Sequence, residues 1–431
     1  MRLKTVLMGT VCPAMMLGLL PTMAVAQDTA ACMGKVPTLG VIAQGMPAVT
    51  ALDAHLAEFN AKWGTEVKIT LLGENERRAK ARLDASTGAG AYQVIYIDEA
   101  NLAEYASAGW VYPLADVVPA AYDIADFRVD LSNVATYDGV QYFAPFVGGG
   151  DVMMYRKDIL EAKGIAVPTT LDELVAAIKA TNDPDNKVYG WAARGQRGSG
   201  MNVWRWTPFF RAMGGEWLDE QGAPSFSSDA AVKATEMYID LMDSAPPGVG
   251  TFNWSDSVEA FRGGQVAFLI ESDVFGPWME DVSKSTVVGK VGYAPPPGSL
   301  PSAGWGHGWA VSAVGAKDDC TKIVAGDFVG WATSKEMEAS RVEAGIVSDI
   351  GRISTLQSDA YRNSVPAEYI QALLDTGPKT SLLIMASPAW PEIGDDLGLA
   401  LEELFTGTKT DIKAALDGVS FNAEDSLAAL K

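Results

Sequence analysis

Short apolar runs alternate with amphipathic stretches along the first quarter of the chain. Residues 36–43 form a mostly apolar run suited to a buried strand. After Gln44-Gly45-Met46-Pro47, apolar residues recur at Val49, Leu52, Leu56, Phe59 and Trp63, the spacing of one helix face. Pro47 stands near the start of that helix, where a missing backbone N–H removes no intrahelical bond. The unit then repeats, with 67–72 as strand, 74–85 as helix, Gly88-Ala89-Gly90 as a break, 92–97 as strand and 102–108 as helix. Such alternation predicts an α/β chain with a largely parallel sheet.

Asp138-Gly139, between two strand-like runs, predicts a hairpin turn, and Gly148-Gly149-Gly150 a point of bending. A second α/β series opens at Thr170-Leu171-Asp172-Glu173, which has capping-box spacing, with Leu171, Leu174, Val175 and Ile178 on one face of the helix that follows. Ala234, Met237, Tyr238 and Leu241 mark another helix, and Gly263-Gly264 precedes a strand over 266–270. Pro295-Pro296-Pro297 and then Gly304-Trp305-Gly306-His307-Gly308-Trp309 form a third junction. From Cys320 onward helices dominate, so the pattern gives two α/β halves and a helical tail.

The first 26 residues read as an export signal: Arg2 and Lys4, an apolar stretch over 6–20, and small residues at Ala24-Val25-Ala26 before a mature start at Gln27. A lipid anchor at Cys32 is the rival, opposed by Asp28 and by the lack of Leu three positions before the cysteine. Removing Arg2 and Lys4 from 33 basic side chains leaves 31 against 54 acidic ones, which repels nucleic acid. About 405 mature residues suit two or three domains. Cys12 leaves with the signal, so Cys32 and Cys320 remain, either bonded or as two buried thiols.

Catalytic signatures are missing: there is no HExxH, GxSxG, CxxC or P-loop, and only His55 and His307 exist for a metal. No metal or organic cofactor is expected. Asp98 and Glu99 follow a predicted strand at the edge where α/β proteins place ligands; they suit either general acid–base work or hydrogen bonds from sugar hydroxyls. Several of the 12 tryptophans stand next to glycine or in predicted loops, namely Trp204 and Trp206 after Arg197-Gly198-Ser199-Gly200, Trp305 and Trp309 in the glycine-rich junction, and Trp390 between prolines. Interleaved with Arg194, Arg197, Asp98, Glu99 and Asp273, they form a set suited to a carbohydrate, whose C–H faces lie on flat rings.

Several segments in order resemble the extracellular solute-binding protein family that includes the maltose-binding protein. They are Gly90-Ala91-Tyr92-Gln93-Val94-Ile95, Gly109-Trp110-Val111-Tyr112-Pro113-Leu114, Tyr142-Phe143-Ala144-Pro145 leading to Met154-Tyr155-Arg156-Lys157-Asp158, Gly190 through Gly214-Gly215, Ala260-Phe261-Arg262-Gly263-Gly264, and the helix end from Phe328 to Lys335. Glu74-Asn75 with Arg78, Val188-Tyr189-Gly190 with Arg194-Gly195, and the Trp305/His307/Trp309 junction resemble the branch that binds mannitol, sorbitol and related polyols. Gly149 stands where relatives often carry an acid, with Asp151 two residues later.

The resemblance implies a periplasmic binding protein fold, two discontinuous α/β lobes joined by a hinge with a cleft between them. It puts residues 27–147 and 308–350 in one lobe, and 148–307 with 351–431 and its C-terminal helices in the other. That division agrees with a Cys32–Cys320 bridge, and Gly148, Gly149 and Gly150 would hinge the lobes. Gln44, Glu74, Asp98 and Glu99 would line one wall and Arg194, Arg197, Trp204 and Asp273 the other. Trp305, His307, Trp309 and Trp390 would come from the crossing and C-terminal segments. The implied function is that of a monomeric periplasmic receptor, not an enzyme, that captures a sugar or sugar alcohol by lobe closure and passes it to ABC transporter permease subunits. The same fold binding an oligosaccharide, or a secreted carbohydrate-active enzyme using Asp98 or Glu99 with Asp273, are the alternatives.

Overall fold

The computed structural model describes residues 29–348 and 350–430; the export signal expected over residues 1–26 lies outside them. Its longer strands are β1 (Thr38–Gln44), β2 (Glu66–Leu72), β3 (Val94–Asp98), β4 (Ala144–Gly149), β5 (Asp151–Arg156), β6 (Tyr189–Ala192), β7 (Val266–Ser272), β8 (Val291–Ala294) and β9 (Trp305–Val311). They form two separate sheets, in the orders β2-β1-β3-β9-β4 and β8-β5-β7-β6. Each sheet, with the helices packed on it, is the centre of one lobe.

The expected largely parallel sheets are mixed instead. The β1–β2 and β1–β3 pairs are parallel, and so is β6–β7. By contrast, β9 runs antiparallel to both β3 and β4, and β5 antiparallel to β7 and β8. A parallel neighbour needs a crossover helix above the same sheet. β9 instead enters the first sheet directly from the second lobe, and β5 leaves β4 for the other sheet, so neither is bound by that requirement.

Local chemistry sets the element ends. Thr170 and Glu173 form the capping box that starts helix Leu171–Thr181, and Asp138 and Gly139 both take positive φ, 49° and 75°, in the hairpin turn. Helix Glu74–Thr87 ends at Gly88 in the left-handed conformation. Cys32 and Cys320 are joined by a disulfide with Cα atoms 5.1 Å apart, tying the start of the described chain to helix Asp319–Ala332, which packs on the first sheet. Helices Trp390–Phe405 and Ile412–Ala428 lie against helices Asn202–Ala212 and Asp229–Met242 of the second lobe.

The chain passes between sheets at Gly150, which alone separates β4 from β5, and again at Gly304, between the short strand Ser302–Ala303 and β9. The expected change of lobe between His307 and Gly308 falls inside β9, which already pairs with the first sheet at Trp305. Steric need accounts for the glycines at the crossing. A Cβ at Gly149 would stand 2.1 Å from Asp273 Oδ1, and one at Gly150 2.3 Å from Ser302 Oγ.

Candidate functional site

A cavity of about 100 Å³ lies between the lobes. From the first lobe come Gln44 at the end of β1, followed by Gly45, Met46 and Pro47; Glu74 and Arg78 on the first turns of helix Glu74–Thr87; Glu99 at the start of helix Glu99–Ser107; and His307 on β9. Arg194, Gly200, Trp204, Trp254, Ser272, Val274, Phe275 and Trp278 come from the second lobe, and Trp305 from the crossing. The strand ends, where backbone bonds of the sheet stop, thus deliver the polar groups. The second lobe supplies most of the rings: Trp254 stacks on Phe275 with centroids 5.4 Å apart, and Trp278 meets Phe275 edge-on at 5.1 Å.

The cavity's charged groups are largely paired within the protein. Asp98 is buried behind the cavity, accepting hydrogen bonds from Arg77 and from Arg78 Nε at 2.9 Å. Burial alone would raise its pKa, but the two guanidinium groups hold its carboxyl well below the usual range. Arg78 also approaches Glu74 at 2.8 Å. On the facing wall, the Arg194 fork donates to both oxygens of Glu271, at 2.8 and 2.5 Å, and to the Gly200 carbonyl. Arg205 repeats the arrangement one layer deeper, with both Asp151 oxygens at 2.7 and 2.8 Å.

Glu99 lacks such a partner. Its Oε2 accepts the Gly306 N–H at 3.0 Å, and burial followed by repulsion from the Asp98 carboxylate pushes its pKa up to about 8. His307 Nε2 lies 4.0 Å from the same oxygen; burial pushes that imidazole down to about 3, so it is neutral near pH 7. Gln44 Oε1 and His307 Nδ1 are buried without a hydrogen-bond partner. Beside the Glu74–Arg78 ion pair, the first-lobe side of the cavity therefore offers uncharged hydrogen-bonding groups, and the second-lobe side offers rings.

Of the expected site residues, Gln44, Glu74, Glu99, Arg194, Trp204, Trp305 and His307 line this cavity, with Asp98 directly behind them. Four do not. Arg197 is exposed and pairs with Asp395 at 2.7 Å on the outside of the second lobe. Asp273 turns toward the crossing, packed against Gly149 and 3.9 Å from Arg128, and its pKa is raised to about 7 by burial despite that arginine. Trp309 is fully buried in the first core, edge-on to Tyr96, Phe146 and Phe328. Trp390 is equally buried in the second core against Trp217.

The sequence reading missed the Trp254–Phe275–Trp278 wall. Asn253-Trp254-Ser255-Asp256 carries capping-box chemistry, placing Trp254 at a helix start, and Trp278 follows Gly276-Pro277 just past β7. Ring residues at a helix start and beyond a strand end were the available signal.

Residues 44–339 match the family model described as bacterial extracellular solute-binding protein. A mannitol-binding protein of Pseudomonas aeruginosa is 26% identical over 370 residues, covering 81% of this chain and 83% of its own. An erythritol/L-threitol-binding protein of Mycolicibacterium smegmatis is 22% identical, covering 86% and 82%. Among solved structures, an ABC transporter solute-binding protein of Agrobacterium radiobacter K84 in complex with ribitol superposes with a TM-score of 0.83 at 28% identity, over 90% of this chain and 98% of that one. One from Agrobacterium vitis S4 with bound D-mannitol gives 0.82 at 25% identity, over 92% and 99%.

Proposed function

The chain belongs to the bacterial extracellular solute-binding proteins, and from that premise we propose that it is the periplasmic receptor of an ABC importer, closing its two lobes on one sugar alcohol or small sugar. In this reading residues 29–148, 305–348 and 350–354 form one lobe, the last of them because Arg352 and Ser354 bond to Asp126, Thr333 and Glu338, the remaining described residues form the other, and Gly148–Gly150 is a strand of the hinge. The monomer presents its closed form to the permease subunits. A ligand shifts the open and closed populations only by its difference in affinity for them, and a cleft lined from both lobes supplies that difference.

The observation that carries the reading is the character of the cavity. Each guanidinium on its wall is matched by a carboxylate of the protein, and Glu99 is protonated near neutral pH, which suits a neutral ligand rich in hydroxyls. The rings opposite suit its C–H surface. A volume near 100 Å³, against roughly 10–15 Å³ for one water on the same measure, is on the scale of one small molecule. The relatives that bind mannitol, ribitol and erythritol point the same way.

Asp98 and Glu99 have pKa values driven apart, as acid and base pairs in enzymes do. Asp98, however, is spent on Arg77 and Arg78 and does not line the cavity, and Glu74, the other carboxylate on the wall, is held by Arg78 at 2.8 Å, so neither is a free partner for Glu99 across a bound glycoside. Transport capture without turnover follows. Thermal melts of the protein with D-mannitol, ribitol, erythritol, sorbitol and maltose test this. Stabilisation of about 2.7 kcal/mol is expected at a hundredfold excess over Kd for one small polyol or sugar, with the ligand recovered intact after overnight incubation. A response to maltose alone, or a breakdown product, would overturn it.

A further inference from the structure

We propose that Gly200 is a positioning residue that sets how far the lobes close over the ligand, by letting the second-lobe backbone seat directly on the Glu74–Arg78 ion pair of the first lobe. The proposal rests on the capture reading above and names the contact at which closure stops.

Three observations carry it. A Cβ built at Gly200 would stand 2.2 Å from Glu74 Oε1, 2.8 Å from Arg78 Nη1 and 3.0 Å from Arg78 Nη2. These atoms belong to the opposite lobe and line the ligand cavity together with Gly200. Neither side of the contact yields readily. The Glu74 carboxylate is held by Arg78 at 2.8 Å, and Arg78 by the buried Asp98 at 2.9 Å. Swinging it aside breaks a chain of low-exposure ion pairs.

The loop bearing Gly200 is equally fixed. Arg194, locked on Glu271, donates to the Gly200 carbonyl. Gly195 and Gln196 both donate to the Phe252 carbonyl at 2.9 Å, and Asn202 Nδ2 donates to the carbonyls of Gly195 and Gly398 at 3.2 and 2.8 Å. Nearby, Ala100 of helix Glu99–Ser107 shares a buried cluster with Ile393 and Leu397 of helix Trp390–Phe405, so the lobes meet on both sides of the seam. Gly200 does not take a positive φ, and alanine there is compatible with its backbone. The three atoms nearest a methyl group there all belong to the first lobe, so its nearest obstacle arrives with closure.

Binding of D-mannitol and ribitol by calorimetry and a lobe-to-lobe distance by paired spin labels, at Leu83→Cys and Phe421→Cys on exposed faces of the two lobes, test the proposal. Gly200→Ala is expected to weaken polyol binding at least tenfold and to deplete the short-distance population, with thermal unfolding of the ligand-free chain unchanged. Adding Glu74→Ala is expected to restore that population. Equal distance distributions in the wild-type and Gly200→Ala chains, or a loss of closure that persists when Glu74 is truncated, would overturn it. If neither polyol binds the wild-type chain, the polyol reading fails by itself, and the ligand-free distance distributions still decide the role of Gly200.

Discussion

Asp98 and Glu99 are neighbours in sequence and opposites in ionisation, because one side chain turns into two guanidinium groups and the other, buried, into the cavity between the lobes. The consequence is readable in pH. Raising the Glu99 pKa from 4.5 to about 8 means the folded state keeps a proton that the unfolded state has released. Its contribution is complete below pH 4.5 and is lost as pH rises through about 8. His307, lowered from 6.5 to about 3, acts in the other sense, with stability present above pH 6.5 and lost as pH falls. Glu99→Gln should therefore flatten the fall of ligand-free stability between pH 5 and 8, a fall on the order of 1–3 kcal/mol, in urea unfolding at several pH values. An unchanged slope in the variant would remove Glu99 as its source. Asp98→Asn takes the charge from between Arg77 and Arg78 and should cost about 3–5 kcal/mol, since it leaves guanidinium charge buried without its counter-ion. Chemical denaturation measures that loss directly.

The elements were legible where periodicity is local and obscure where a partner lies far along the chain. Helix Glu74–Thr87, the capping box at Thr170 and the turn at Asp138-Gly139 follow from residues within a few positions of one another. β9 does not, because its neighbours β3 and β4 come about 160 to 210 positions earlier in the sequence, and nothing in Gly304-Trp305-Gly306-His307-Gly308-Trp309 distinguishes a glycine-rich loop from a strand crowded by its neighbours. It is a strand. A Cβ at Gly308 would lie 2.0 Å from the Ala144 carbonyl oxygen, so close backbone packing explains the glycine. Along β9 Trp305 and His307 reach the cavity at the strand's outer end, while Trp309 is carried under Phe328 into the core. Trp309→Phe should leave polyol affinity within about twofold, whereas Trp254→Ala should weaken it at least tenfold through lost ring contact; calorimetric titration separates them. Away from the cleft, the Cys32–Cys320 bridge spans 288 positions yet stays within one lobe. Replacing both cysteines by serine is expected to lower stability by about 2–5 kcal/mol without changing affinity.

At the scale of the whole molecule, closure brings together two bodies of the same sign. On the proposed division, residues 29–148 and 305–354 hold 13 Lys and Arg against 21 Asp and Glu in sequence, and residues 149–304 and 355–431 hold 18 against 32. Their mutual repulsion opposes the closed form at low ionic strength, where the screening length is about 30 Å at 0.01 M, and fades at 0.15 M, where it is about 8 Å. A neutral ligand brings no charge to the cleft, so salt acts on its binding only through the lobes. Affinity for a polyol should then rise by roughly two- to threefold between these salt concentrations, with the spin-label distance shifting toward the closed form over the same range. A charged ligand behaves differently, because salt also screens its own attraction to the wall. Affinity that falls as salt is added would place a charge on the ligand and contradict the balanced ion pairs of Arg78 and Arg194; affinity that rises ties uptake to the charge of the whole chain as well as to the residues lining its cleft.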